Sequence, residues 1–190
     1  MKRFTILILF LLTMLVSACA TKTQSEAWLT KEVKINLPMI NLKQNYHDQQ
    51  LLKFKYNDQE NSIITLVDVN DNQLKVVGLS ALGIRLFEIE YNGELINSKN
   101  NIFVKELPPP EQVLSDIMLS ILPISEWQTV LPQGWQLVDR DLHRTLSDDK
   151  QQIIVDITYT EKASEHIRKP IQIEHHIFGY QITIQSMDTN

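Results

Sequence analysis

A chain of 190 residues, of which 43% are hydrophobic, is long enough to fold as one domain around a sizeable core. Its 18 basic and 23 acidic residues give a formal net charge of −5, which argues against nonspecific binding to nucleic acid. The only cysteine is Cys19, which excludes a disulfide within the chain, so packing must hold the fold.

The N-terminal segment has the order of features that is typical of a secretory signal. Two basic residues at positions 2 and 3 precede an apolar run at positions 4 to 16. This run is shorter than the about 20 apolar residues that a membrane-spanning helix needs. The sequence Val-Ser-Ala-Cys follows at positions 16 to 19 and resembles the lipobox of bacterial lipoproteins. The alternatives are an ordinary secretory signal with an incidental cysteine and an uncleaved hydrophobic N-terminus.

The lipobox resemblance implies that residues 1–18 are a signal peptide and that Cys19 carries a diacylglyceryl thioether and acyl chains such as palmitate. Residues 19–26 then form the lipidated N-terminus and a short polar tether, and residues 27–190 form a single periplasmic domain. Several chains hold a protein at a membrane, because each buried methylene contributes about 0.8 kcal/mol. Ala20 after the cysteine, rather than Asp, implies sorting to the periplasmic face of the outer membrane.

Two groups of strand patterns predict antiparallel meanders. In "LLKFKY", "SIITLVDV" and "RLFEIEY", every second side chain can line one apolar face. Turn-forming residues separate these runs at positions 56–61, 69–73 and 91–94, the last with an Asn-Gly hairpin signal. Further strand patterns lie at positions 135–138 and in "QIIVDITY", "IQIEHHI" and "YQITIQ".

A helical pattern lies between the two meanders, in "LPPPEQVLSDIMLSILP". Its apolar residues recur at helical spacing, and prolines lie at both ends. A shorter helix is predicted after it by the capping box Ser125–Gln128. Because the apolar sheet face needs a cover, we expect an α+β fold. In this fold, a curved antiparallel sheet, an incomplete β-barrel, wraps around a central amphipathic helix.

The sequence carries only weak candidates for catalysis or metal binding. "GLSALG" departs from the G-x-S-x-G nucleophile motif, so a strand end and turn explain Ser80 better than a catalytic role does. His175 and His176 are adjacent and point to opposite faces of a strand, so they cannot bind one metal ion together. The charged segment Asp139–Arg144 is most simply a solvated strand end or an ion-pair patch. We therefore expect a protein that is not an enzyme and that has no metal site and no cofactor.

Apolar residues near a predicted turn are the more informative feature. They are Leu79, Leu82, Ile84, Leu86 and Phe87, together with Met118 of the predicted helix. An ordinary packed core explains them, and so does the wall of a cavity for an acyl chain or another apolar ligand. Such a cavity needs a large dry surface and few polar groups, and a flexible methionine suits it.

Three stretches carry a resemblance to a known family: "VVGLSALGIRLFEIEYNGELI", "LPPPEQVLSDIMLSILPISEWQTVLPQGWQL" and "IEHHIFGYQITIQ". From about Leu51 onward, the chain resembles an uncharacterised family of Gram-negative lipoproteins that are often encoded with fatty-acid-synthase-like genes for aryl-polyene lipids. The order of lipobox, strands, helix and strands is also similar to that of LolA and LolB. This likeness implies an incomplete barrel with a helical lid around an apolar cavity. LolB delivers its cargo with an exposed apolar loop residue, and Leu82 occupies a comparable turn.

These observations favour a monomeric lipoprotein that binds an acyl or polyene lipid, or a lipoprotein cargo, and assists its transfer to the outer membrane. The anchor on Cys19 would raise the local concentration of the cavity near the membrane. A structural lipoprotein with a filled core, which docks an envelope complex, is the alternative. A hydrolase of envelope lipids or glycans would need a catalytic pair near Ser80 or in Asp139–Arg144. We expect no nucleic-acid partner.

Overall fold

The computed structural model of the protein describes residues 25–100, 108–163 and 167–187. The predicted signal peptide at residues 1–18, Cys19 and most of the predicted tether lie outside these described residues. Of the helices in the described ranges, none has both the length and the apolar character that a membrane span requires.

Within the described residues, twelve strands and two helices follow one another along the chain. The strands are β1 (Glu26–Trp28), β2 (Lys34–Asn36), β3 (Tyr46–Tyr56), β4 (Gln59–Asn70), β5 (Gln73–Leu79), β6 (Arg85–Tyr91), β7 (Ile96–Asn100), β8 (Gln136–Arg140), β9 (His143–Ser147), β10 (Ile153–Tyr159), β11 (Pro170–His175) and β12 (Tyr180–Ser186). The helices are α1 (Pro110–Ile121) and α2 (Ile124–Gln128), which lie between β7 and β8.

Ten of the described strands form one antiparallel sheet in the order β7-β6-β5-β4-β3-β12-β11-β10-β9-β8. Each meander supplies five neighbouring strands, and the pairing of β12 with β3 joins the two meanders. In that pairing, Tyr180 lies opposite Tyr56 and Ile184 lies opposite Leu52. Strands β1 and β2 pair with each other in a separate hairpin.

Tight turns with left-handed backbone connect the long strands of the first meander. The β3–β4 turn contains Asn57 with φ of 52°, and the β4–β5 turn contains Asp71 and Asn72 with φ of 48° and 61°. Asn and Asp tolerate this conformation because their short side chains hydrogen-bond locally. Two-residue turns with left-handed backbone match the right-handed twist of the two strands that they connect. The turns predicted at 56–61 and 69–73 are therefore confirmed.

One face of the sheet is buried and carries most of the core. In β3, for example, Tyr46, Gln50 and Phe54 are buried, whereas His47 and Lys53 between them are exposed. The buried face is covered by α1, which contacts β1 and β11, and by the β1–β2 hairpin. The largest fully buried side chains are Trp127, Tyr91, Tyr159, Leu29, Leu74, Ile89, Leu114, Met118, Leu119, Leu122, Leu146 and Ile154.

Arg144 of β9 fastens the C-terminal end of α1 to the sheet. Its Nη1 atom donates hydrogen bonds of 2.8 and 2.7 Å to the carbonyl oxygens of Leu119 and Leu122. Carbonyls at a helix end have no partner within the helix, so these bonds satisfy them. Asp139 accepts two bonds from the same guanidinium, at 2.9 and 3.0 Å. Of the two interpretations of this charged segment, the ion-pair patch therefore holds for Asp139 and Arg144, whereas the solvated strand end does not, because Arg144 is 7% exposed.

The fold class differs from the predicted α+β arrangement. Strands hold 51% of the described residues and helices hold 11%, so the protein is mostly β. Prolines limit α1 to 12 residues. Pro109 and Pro110 lie at its start, and Pro123 prevents the helix from continuing past Leu122. A helix of this length spans about 18 Å, whereas ten strands at about 4.8 Å spacing form a far wider sheet. The sheet is not closed and α1 is not a long central helix, so the predicted LolB-like incomplete barrel is wrong.

Candidate functional site

A small cavity, the inner cavity, lies between α1 and the middle of the sheet. Its volume is about 60 Å³. The walls are mostly aliphatic and include Leu52, Ile63, Ile182 and Ile184 of the sheet and Val113 and Ile117 of α1. Cavities of this apolar kind accept apolar groups, because the walls offer few hydrogen bonds to water.

A larger space, the aromatic groove, opens beside the inner cavity. It has a volume of about 710 Å³ and lies between the β1–β2 hairpin, the start of α1 and the adjoining ends of β3 and β12. Phe54 and Pro108 line both spaces, so the two are adjacent. Among the described lining residues, the aromatic ones are Trp28, Phe54, Tyr56, Phe178 and Tyr180. The volume is within the range of about 300–1,000 Å³ that is usual for small-molecule sites.

The aromatic side chains form a continuous wall. The ring centroids of Phe54 and Tyr180 are 5.4 Å apart, and those of Phe178 and Tyr180 are 6.4 Å apart with nearly parallel planes. His175 lies behind them, with its ring centroid 4.4 Å from that of Phe178. Burial lowers the pKa of His175 to about 4, so the ring is neutral near pH 7. The neutral imidazole therefore packs against Phe178 and Tyr180 without placing a charge beside them.

Charged side chains at the mouth of the groove balance one another. Lys34 Nζ lies 2.8 Å from a carboxylate oxygen of Glu26 and 5.6 Å from the ring centroid of Trp28. Lys31 and Glu111 also line the groove. Two lysines and two glutamates leave the mouth without a formal net charge, so the mouth by itself favours neither an anion nor a cation.

Asp116 of α1 is a buried carboxyl at the wall of the inner cavity, and it is 2% exposed. The Tyr180 hydroxyl donates a hydrogen bond of 2.5 Å to Asp116 Oδ2, and Gln112 Nε2 donates one of 3.2 Å to Asp116 Oδ1. Burial raises the pKa of Asp116 to about 7, although both hydrogen bonds act in the opposite direction. Burial and the neighbouring Asp116 also raise the pKa of Tyr180. We call Gln112, Asp116 and Tyr180 the polar trio.

A second polar group lies farther along the inner cavity. Gln50 and Thr65 line the cavity from neighbouring strands, and Thr65 Oγ1 is buried with no hydrogen-bond partner among the described residues. Gln50 Nε2 donates to Asp48 over 2.7 Å, and Asp48 also accepts bonds from Lys169 and Ser186. Burial alone would raise the pKa of Asp48, but these hydrogen bonds and the charge of Lys169 lower it below its usual value. Asp48 is therefore an ionised, well-paired carboxylate.

The six apolar residues predicted for a cavity or transfer loop lie in different environments. Phe87 lines the inner cavity. Met118 is fully buried but is not among the residues that line it, and Leu86 is also buried. Leu82 and Ile84 are 87% and 51% exposed, in the turn between β5 and β6, and Leu79 is partly buried at the end of β5.

The β5–β6 turn also shows what Ser80 does. Its Oγ accepts hydrogen bonds from the backbone N–H groups of Leu82 and Ile84, at 3.3 and 3.2 Å. Gly83 has φ of 76°, which favours glycine in this turn. Ser80 therefore organises the turn, as the strand-end-and-turn interpretation predicted, and the turn holds Leu82 out toward solvent.

The two predicted histidine positions also differ. His175 is buried against the aromatic wall, whereas the side chain of His176 is 39% exposed. Across the described residues, no group of three or more His, Cys, Asp or Glu side chains is arranged to bind a metal ion.

Sequence reasoning missed the polar trio and the groove, although one signal was present. Asp116 lies three residues after Val113 and directly before Ile117, which places a carboxyl on the cavity-facing side of α1. A carboxyl in an apolar stripe is costly unless it is paired or neutral. The groove itself had no such local signal, because distant segments of the chain form its walls.

One protein family matches most of the domain. The family described as protein of unknown function (DUF3261) matches residues 47–188, a range that includes both meanders and α1. No curated protein matches the chain.

Proposed function

Because the chain belongs to the family described as protein of unknown function (DUF3261), we propose its function from the site: it binds one apolar ligand in the aromatic groove and the inner cavity. The observation that carries this proposal is that an aromatic groove of about 710 Å³ lies directly against an apolar cavity, with Phe54 and Pro108 in both walls. An acyl or polyene lipid, or the acyl part of a lipoprotein cargo, has the required chemistry.

The two volumes assign different roles to the two spaces. At about 60 Å³, the inner cavity takes only one end of the ligand, whereas the groove has room for its longer apolar segment. Transfer of apolar surface from water into such a site is favourable by roughly 25 cal/mol per Å² buried. Binding therefore depends on the aromatic wall as much as on the cavity.

The proposal includes a site of action. Lipidation at Cys19 would anchor the protein to the periplasmic face of the outer membrane, as in the Gram-negative lipoproteins that the sequence resembles. The ligand would then pass between the groove and the membrane, and no covalent chemistry is required. Leu82 is the best-placed apolar contact for the membrane or cargo, because it is 87% exposed and its turn is held by Ser80.

Photocrosslinking of the full chain tests the proposal. A photoreactive twelve-carbon alcohol, with its diazirine on the chain, is expected to label residues of the groove, such as Trp28, Tyr56 and Phe178. Ile182→Trp fills the inner cavity and should reduce this labelling, because Ile182 lines the cavity. Ile153→Trp is the matched control, because Ile153 is an exposed strand residue. Labelling that avoids the groove and is the same in both variants would contradict the proposal.

A docking lipoprotein with a filled core is the second candidate function. The small volume of the inner cavity and the exposed pair Leu82 and Ile84 favour it. In that case, the alcohol probe would not label the groove, and Leu82→Asp would weaken the association with an envelope complex instead.

A further inference from the structure

A carboxyl group, and no cationic side chain of the described residues, lines the inner cavity. Among the described residues that line it, Asp116 is the only Asp, Glu, Lys, Arg or His. No Lys, Arg or His of the described residues forms an ion pair with Asp116, and its two described hydrogen bonds come from the neutral groups of Gln112 and Tyr180. An ionised carboxyl in this position therefore has no compensating charge from the part of the chain that the structure describes.

This arrangement disfavours a ligand with a carboxylate head at the polar trio. A second anion beside Asp116 would meet like charge in a poorly solvated cavity that no described cationic side chain lines. By contrast, a carboxylate can accept about four hydrogen bonds, and the trio supplies two donors to Asp116. The carboxyl thus has acceptor capacity left for a donor that a ligand brings.

The groove offers favourable surroundings for a cationic nitrogen. Lys34 already places its ammonium group 5.6 Å from the centroid of Trp28 while it pairs with Glu26. Ammonium groups are attracted to aromatic faces, and Tyr180 of the aromatic wall is also a member of the polar trio. The charges at the mouth balance, so the buried Asp116 decides which head group is preferred.

We propose that the polar trio of Gln112, Asp116 and Tyr180 selects a single-chain amphiphile with a protonated primary amine as its head group. This inference rests on the proposed function, because the same groove must hold the apolar chain. The ammonium group donates to Asp116, and the chain packs along the aromatic wall. Where Asp116 is protonated before binding, its proton leaves to solvent as the ion pair forms.

Competition against the photoreactive alcohol tests this selection. The full chain, in a neutral maltoside detergent at pH 7.5, is mixed with dodecylamine, dodecanol or dodecanoate, which share one chain length. Dodecylamine is expected to displace the probe at a concentration about tenfold lower than dodecanol does, and dodecanoate at the highest concentration. Asp116→Asn should remove the amine preference and leave displacement by dodecanol in place.

Two further variants make the outcome specific. Asp58→Asn, in an exposed turn, is the charge-matched control and should keep the amine preference. Glu111→Gln tests the mouth of the groove: loss of the preference there, with retention in Asp116→Asn, would overturn the proposal. Equal displacement by all three amphiphiles would also overturn it. If no amphiphile displaces the probe and the groove is unlabelled, the proposed function itself has failed.

Discussion

The ring of Phe87 lies against Gly78 so closely that a Cβ atom on the glycine would be 2.3 Å from Phe87 Cε1. Phe87 also lines the inner cavity, and the two residues are opposite each other in the β5–β6 pair. The absence of a side chain at position 78 therefore sets the position of one wall of the candidate site.

Gly78→Ala is expected to move the ring of Phe87 and to lower the free energy of unfolding by about 1–3 kcal/mol, the usual cost of overpacking. Urea unfolding of the full chain in detergent measures the change. The double variant Gly78→Ala, Phe87→Leu should lose less free energy of unfolding than the two single variants lose together, because the leucine side chain leaves room for the new methyl group. A loss in the double variant equal to the sum of the two single losses would argue against this contact.

Arg144→Met should lower the free energy of unfolding by about 3 kcal/mol, because it leaves Asp139 and two helix-end carbonyls short of a buried partner. Arg140→Met is the matched control, since Arg140 is exposed and should change stability by less than about 0.5 kcal/mol. The same unfolding experiment measures both variants. Similar stabilities for the two would contradict the anchoring role of Arg144.

Asp116 should make stability depend on pH in a defined direction. Its pKa is raised from 3.8 to about 7 in the fold, so its contribution to stability is complete below pH about 4 and is lost as pH rises through about 7. The free energy of unfolding of the natural chain should therefore fall relative to that of Asp116→Asn as the pH rises from 4 to 8. Unfolding curves at several pH values measure it, with Asp58→Asn as the control. A difference that is independent of pH would contradict the raised pKa.

Thr65→Val should raise the free energy of unfolding by about 1 kcal/mol, because no described residue hydrogen-bonds the buried hydroxyl of Thr65 to compensate for its lost hydration. The shapes of the two side chains are nearly the same. Thr183→Val, on the exposed face of β12, is the control and should be close to neutral. A lower stability for Thr65→Val would mean that the hydroxyl is satisfied in solution.

Leu82→Asp should leave the free energy of unfolding within about 0.5 kcal/mol of the natural value, because the side chain is 87% exposed. It should nevertheless slow the passage of the alcohol probe from the protein to acceptor vesicles, which is followed by the decay of groove labelling. Ile153→Asp introduces the same charge at another exposed position and is the control. Equal decay in both variants would remove Leu82 from the transfer step.

The sequence by itself determined the local elements. The alternation in segments such as "RLFEIEY" predicts strands, because side chains point to opposite faces of a strand in turn. The turn at Asp71 and Asn72 and the prolines around α1 act through backbone geometry that depends only on neighbouring residues. These features were therefore predictable without knowledge of the rest of the fold.

Only the tertiary structure decided the width of the sheet and the location of the site. The pairing of β12 with β3 brings Tyr180 and Phe54 together from distant parts of the chain and creates the aromatic wall. It also places the hydroxyl of Tyr180 on Asp116. A local pattern specifies the face on which a side chain lies, but the choice of partner strand depends on long-range packing of many apolar residues at once. For that physical reason, the groove and the hydrogen-bond partners of the buried Asp116 could be seen only in the folded protein.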